Sequence, residues 1–369
     1  MPPDADPRAV QVRGPGGEGA GYLLDGGLLL TSAELVGTAP STVTFRLPGA
    51  DRPWRCAMRW HRYDPARPRA ARLDAALLHV LDDDWDEGRM RSRSPSPRWG
   101  RLATRRPSVP VSVTVFPGRD AVVVQGTVNA GSSVKAGRYH VTLPGSASAA
   151  GPEPWPGTAG AAVVCHGLVL GVVADAGREP GTAWLSVVPA EALVRDSGFR
   201  ALAAPGPLEA AELQTVLEEG PTAPQGPEPV EAESLTRWCE ERDSFSSRLV
   251  VGADDDHRRR LAQALLGRMS GRDWATGFVA TAADQRALDV VADTAVPLLL
   301  VVDHADTRSE TLLALLDTVA RRAFAAPATP VRLLLLADDD GDWWWEARSE
   351  SPVLRDVPAD TVLTLHSPR

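Results

Sequence analysis

The rhythm of apolar residues changes once along this chain, near residue 234, and a change of that kind requires two folded bodies of different class. From Val10 to about Leu202, short β-like runs such as Gly21–Leu30, Val111–Phe116, Ala121–Val128 and Ala161–Val173 are separated by glycine and proline, the pattern of an all-β barrel or sandwich. Beyond Ser234, apolar runs at Arg248–Ala253, Thr276–Thr281, Pro297–Asp303, Val331–Asp338 and Thr361–His366 alternate with helical stretches, which implies a parallel α/β sheet. Residues 204–233 between them are rich in Pro, Gly, Ala and Glu and read as a linker, with one short helix expected over Leu208–Glu219. The expected domains are therefore 1–203, the linker 204–233, and 234–369.

Composition narrows the function classes. With 43% hydrophobic and 24% charged residues the chain falls among soluble globular proteins. A formal net charge of -9 argues against a surface that collects phosphate backbones, so nucleic acid is not an expected partner. The basic residues are almost all arginine, Lys135 being the single lysine. Cys56, Cys165 and Cys239 are too few and too scattered for a disulfide framework or a CxxC metal site, and they read as buried thiols. Residues Met1–Val10 lack the basic start and apolar stretch of a signal peptide. The longest apolar run, Val296–Val302, falls far short of the roughly 20 residues that span a bilayer. A cytoplasmic location and no membrane association are expected. The Ser, Pro and Arg alternation of Arg91–Arg98 reads as a solvated loop.

Three segments of the first half carry a resemblance. Gly19-Ala20-Gly21-Tyr22-Leu23-Leu24 followed by Leu28-Leu29-Leu30-Thr31-Ser32-Ala33-Glu34 is similar to the strand and Thr-Ala-Ala-His motif of trypsin-like serine proteases (chymotrypsin fold, PA clan). Arg72-Leu73-Asp74-Ala75-Ala76-Leu77-Leu78 resembles the family's Asp-Ile-Ala-Leu-Leu motif, and Gly157-Thr158-Ala159-Gly160 resembles its nucleophile loop. The resemblance places Glu34 at the general base, Asp74 at the orienting acid, Ala159 at the nucleophile and Gly157 in the oxyanion loop. Acyl transfer needs an oxygen or sulfur nucleophile and a base that takes and returns its proton, and a methyl group does neither. Glu34 facing Asp74 would bring two carboxylates together and raise one pKa or force them apart. Cys165 beside His166, and Ser146 or Ser148, offer no evident substitute nucleophile with a paired base.

The second half resembles a STAND-type P-loop NTPase, the domain that follows a trypsin-like one in actinobacterial trypsin–STAND proteins, but with its nucleotide loop altered. Against GxxxxGK[ST], Leu249-Val250-Val251-Gly252 supplies the first glycine, while His257 replaces the second, Arg258 the lysine and Arg259 the hydroxyl residue that ligates magnesium. Asp254, Asp255 and Asp256 put carboxylates where a helix N-terminus would receive phosphates, and repulsion of a nucleotide is expected. Pro297–Asp306 is similar to a Walker B strand, with Asp303 in the magnesium-facing position and Asp306 near the position of a catalytic acid. Asp338 stands where such domains usually carry an arginine after the next strand. Trp343–Trp345 reads as packing under the sheet, with an exposed anchor as the alternative.

The expected fold class is multidomain: an N-terminal all-β trypsin-like double β-barrel and a C-terminal α/β P-loop NTPase-like parallel sheet. The expected function is that of a pseudoprotease joined to a degenerate NTPase-like domain, not an enzyme, which binds a protein or peptide partner in a bacterial signalling or conflict system. No cofactor and no metal are expected. Two alternatives are a residual hydrolase using the Glu34 and Asp74 carboxylates, and a nucleotide-sensing switch resting on Asp303 and Asp306.

Overall fold

The computed structural model describes residues 6–37, 42–63, 73–88, 92, 94–131, 137–144, 157–179, 182–218, 229–252, 254–326, 328–355 and 362–365. Contacts divide the chain into two units, residues 1–102 with 106–211 and residues 103–105 with 212–369.

In the first unit, strands β1 (Ala9–Gly14), β2 (Gly17–Leu23), β3 (Leu28–Thr31), β4 (Val43–Arg46), β5 (Trp54–Arg62) and β6 (Ala75–Val80) form a closed antiparallel barrel in the order β1-β2-β3-β6-β5-β4. Closure is visible at Val12, which pairs with Gly19 on one side and Phe45 on the other. Alternation decides the faces: Val10 and Val12 are fully buried, while Arg13 points to solvent. The second barrel uses β8 (Val109–Val115), β9 (Val122–Val128), β10 (Tyr139–Leu143), β11 (Ala162–Cys165), β12 (Leu168–Glu179) and β13 (Thr182–Pro189). It closes where β11 pairs with both β8 and β12. Two short strands, β7 (Arg98–Arg101) and β14 (Leu208–Ala210), extend it in parallel from β12. The two six-stranded antiparallel barrels match a trypsin-like fold. Between them Phe199 meets Trp60 and Trp99 edge-on, at 5.5 and 5.6 Å, in a shared core with Leu30, Leu77 and Val172.

The segment expected as a linker helix is built differently. Leu208–Ala210 is β14, Ala211–Thr215 is a 3-10 turn, and Leu217–Glu218 forms β15 against β17 (Ala275–Val279). A helix over this stretch would forfeit the backbone pairing that two sheet edges offer.

The second unit is a six-stranded sheet with β16 (Phe245–Val251), β18 (Leu298–Val302), β19 (Val331–Ala337) and β20 (Val362–Thr364), in the order β15-β17-β18-β19-β16-β20. All neighbours are parallel except the β15 edge, so the sheet is mixed. Strand β18 is an uninterrupted apolar run, and β19 is apolar except for Arg332, as strands covered on both faces require. Two buried arginines hold its loops. Arg322 donates to the carbonyls of Thr294, Val296 and Thr329, and Arg332 to those of Trp238, Glu241, Asp243 and Val331. No helix of the described residues is long and apolar enough to cross a membrane.

Candidate functional site

At the end of β3 the chain turns into the four-residue helix Ala33–Val36. Ser32 caps it, its Oγ accepting from the Glu34 amide at 3.2 Å. The same Oγ donates to Asp74 Oδ1 at 3.1 Å, and the Glu34 amide reaches that oxygen at 3.1 Å. Asp74 is only 4% exposed, at the entry to β6. Burial raises its pKa, opposed by the hydrogen bonds from Glu34 and Ser32 and by the positive charge of Arg138. The expected meeting of two carboxylates is corrected here, because Glu34 approaches Asp74 through its backbone while its side chain is exposed.

The loop bearing Ala159 is held by its glycines and its backbone. Gly157 and Gly160 have φ of 75° and 82°, and a Cβ on them would lie 1.9 Å from the Phe116 oxygen and 2.2 Å from the Ala20 oxygen. The Ala159 carbonyl accepts from the Ala20 amide at 2.8 Å, and the Gly160 amide donates to Val173 at 2.7 Å. A cleft of about 230 Å³ results, lined among others by Glu18, Glu34, Gly157, Ala159 and Asp175. Three of the four residues singled out from sequence thus share one cleft, with Asp74 buried behind them. Among the described residues the amides of Gly157 and Ala159 donate no hydrogen bond. Sequence reasoning missed Asp175, whose signal is an acid inside the apolar run of β12, placed at a register shift of that strand. It also missed the buried Arg138.

Cys165 is buried at the end of β11, and His166 follows it in an exposed turn with φ of 47° rather than on the strand. Burial pushes the Cys56 and Cys239 thiols up to about 12, which leaves them protonated and inert. Ser146 and Ser148 lie outside the described residues.

Asp74 yields a test. A carboxyl whose folded pKa is raised binds its proton more tightly in the native state, so its contribution falls as pH climbs from about 3.9 to the folded value and stays unfavourable above it. Asp74→Asn keeps an oxygen acceptor for Ser32 and Glu34. It is expected to melt above the native chain at neutral pH, with the difference shrinking towards about pH 4 in thermal scans. Lower melting of the variant at neutral pH would contradict the assignment.

In the second unit Gly252 ends the run of β16, with φ of 155°, and the helix Asp255–Ser270 begins after Asp254, whose side chain accepts from the His257 amide at 3.1 Å. Arg258 is 1% exposed, and its Nη2 binds both Asp255 and Asp338, the latter at 2.6 Å. Its Nε and Nη1 are buried without a partner among the described residues. Arg259 places Nε 2.9 Å from Asp303 Oδ2 and Nη2 2.8 Å from His304 Nε2. The bond to Asp303 holds the Arg259 guanidinium above its ordinary pKa. Arg258, Arg259 and Asp303 therefore come together, whereas Asp306 sits in a neighbouring 3-10 turn with Oδ1 buried and unpaired among the described residues.

The three aspartates stand at the helix N-terminus, Asp254 as its cap and Asp255 and Asp256 in its first turn, and Asp255 is also a partner of Arg258. Missed from the sequence was His304, in a left-handed conformation with φ of 50°. Of the tryptophans, Trp344 is buried and Trp345 is 59% exposed.

No family model and no curated protein matches the chain. Among solved structures it is similar to the Rv3671c protease in its inactive form (21% identity over 53% of this chain and 89% of that one, TM-score 0.35). It is similar also to human heparin binding protein (20% identity, 55% and 97%, TM-score 0.38). A third is a scabies mite inactivated protease paralogue (17% identity, 53% and 89%, TM-score 0.35).

Proposed function

We propose that this chain is a pseudoprotease joined to a degenerate NTPase-like domain, and that it works by binding a protein or peptide partner as a regulatory component. The observation that carries this reading is the pairing of a methyl group, Ala159, with an exposed carboxylate, Glu34, across the cleft where acyl transfer would need a nucleophile and a base. The methyl group attacks no carbonyl and offers the carboxylate no proton to take, while the surrounding loop keeps the glycines that shape it. In the second unit the reading is supported by Arg258 and Arg259, which stand where a P-loop lysine and hydroxyl are expected and are bound to Asp338 and Asp303.

The deciding experiment exposes the purified chain to a diverse peptide library and reads cleavage by mass spectrometry. No cut is expected, and a cut that survives removal of trace proteases refutes the reading. For the second unit, magnesium ATP is expected to leave the melting temperature unmoved. A ligand at a hundred times its dissociation constant would add about 2.7 kcal/mol, so a rise of that order would favour a nucleotide-sensing switch.

A further inference from the structure

A second cavity in the first unit, about 330 Å³, shares no lining residue with the cleft of Glu34 and Ala159. Its wall includes the segment Ser94-Pro95-Ser96-Pro97-Arg98, from the Ser, Pro and Arg run that leads into β7. The two serines followed by proline differ in accessibility. Ser94 is half-buried: its Oγ accepts from Arg8 Nε at 3.3 Å, and its carbonyl accepts from Arg8 Nη2 at 3.2 Å. Ser96 is exposed and makes no hydrogen bond among the described residues. It stands two residues before Arg98, and both line the cavity.

Arg98 forms a two-pronged pair with Glu209 of β14, Nε to Oε1 at 2.9 Å and Nη2 to Oε2. Strand β14 lies at the edge of the described sheet and pairs with β7 through Leu208, Glu209 and Ala210. Glu209 is the acid that ties this edge strand to the segment carrying Ser96.

We infer that Ser96 is a phosphorylation site, and that a phosphate there takes Arg98 from Glu209 and loosens β14. This goes beyond the proposed function and does not depend on it. The partner is a serine kinase that reads a proline after the acceptor with arginines nearby. Ser96 Oγ attacks the γ-phosphorus of a nucleoside triphosphate, the bond to the diphosphate leaving group breaks, and the hydroxyl proton passes to the kinase. The product is a dianion with three acceptor oxygens beside a guanidinium whose planar fork binds phosphate in two places. The cavity also offers the Ser112 and Thr114 hydroxyls. Its one carboxylate, Asp6, opposes the phosphate, but both its oxygens already accept, from the Arg8 amide and the Tyr22 hydroxyl. Glu209, stripped of its partner and facing new negative charge, loses its hold on β7.

The test uses the full chain, magnesium ATP and a proline-directed serine kinase first shown to phosphorylate the isolated Arg91–Arg98 peptide. One phosphoryl group is expected on the tryptic fragment Ser94–Arg98, placed on Ser96 by fragment ions, absent in Ser96→Ala and retained in Ser94→Ala. Amide exchange at Leu208–Ala210 should then accelerate about fivefold, the size expected for losing a half-exposed ion pair. Unphosphorylated Glu209→Gln should show a similar acceleration. Phosphate on Ser94, or a folded chain refractory to a kinase that modifies the peptide, overturns the site. Phosphorylation of Ser96 with unchanged exchange at β14 overturns the switch.

Discussion

The double variant Ala159→Ser, Glu34→His is expected to cleave peptides at least about a hundredfold faster than the native background, because it restores a nucleophile and a base to a cleft that already joins their positions. The backbone of residue 34 lies 3.1 Å from the buried Asp74 carboxylate, so an imidazole there starts beside the acid that would orient it. A hydroxyl at residue 159 would project from a loop held by Gly157, Gly160 and the Ala20 amide. The activity should rise with pH as the new histidine loses its proton, and neither single variant should approach the pair, since nucleophile and base act as a unit. Fluorogenic peptides and the two single variants make the comparison. An inert double variant would mean that the cleft does not hold the two groups in catalytic geometry, and a partner would then be sought elsewhere on the surface.

Replacing Arg332 by alanine is expected to destabilise the second unit by about 4 kcal/mol, the largest stability effect predicted here. The side chain is fully buried, and its guanidinium donates to four carbonyls, three of them in the turn from Trp238 to Asp243 that leads into β16. Alanine removes the donor that ties these carbonyls together and opens a void beneath the turn. Lysine would not rescue it, since a single ammonium cannot reproduce the fork. Hydrogen exchange across β16 and β19 locates the loss. Protection unchanged in those strands would contradict the role given to Arg332.

Much of this architecture was legible before any coordinates. Period-two alternation in runs such as Val109–Val115, and the apolar runs Leu298–Val302 and Leu333–Ala337, announce one body of antiparallel strands and one of buried parallel strands. The methyl group at Ala159 was equally plain, because it depends on which atoms a residue owns. The helix expected over Leu208–Glu219 was a misreading because helical composition reports only local preference, and pairing at two sheet edges outweighed that preference. Asp175 escaped notice because it gains significance only where β12 shifts register beside Ala159.

The sequence by itself determined the two classes of fold and the absence of a hydroxyl, imidazole or P-loop lysine at the expected positions, since periodicity and side-chain identity are properties of single positions. Only the tertiary structure decided that Glu34 meets Asp74 through its amide, that Arg258 and Arg259 find Asp338 and Asp303, and that Ser96 shares a cavity with Arg98. Those partnerships mostly join residues distant along the chain. They form because burial penalises a charge or backbone group without a partner, so each bonds with whatever suitable group the packing brings near, and no local pattern records which group that will be.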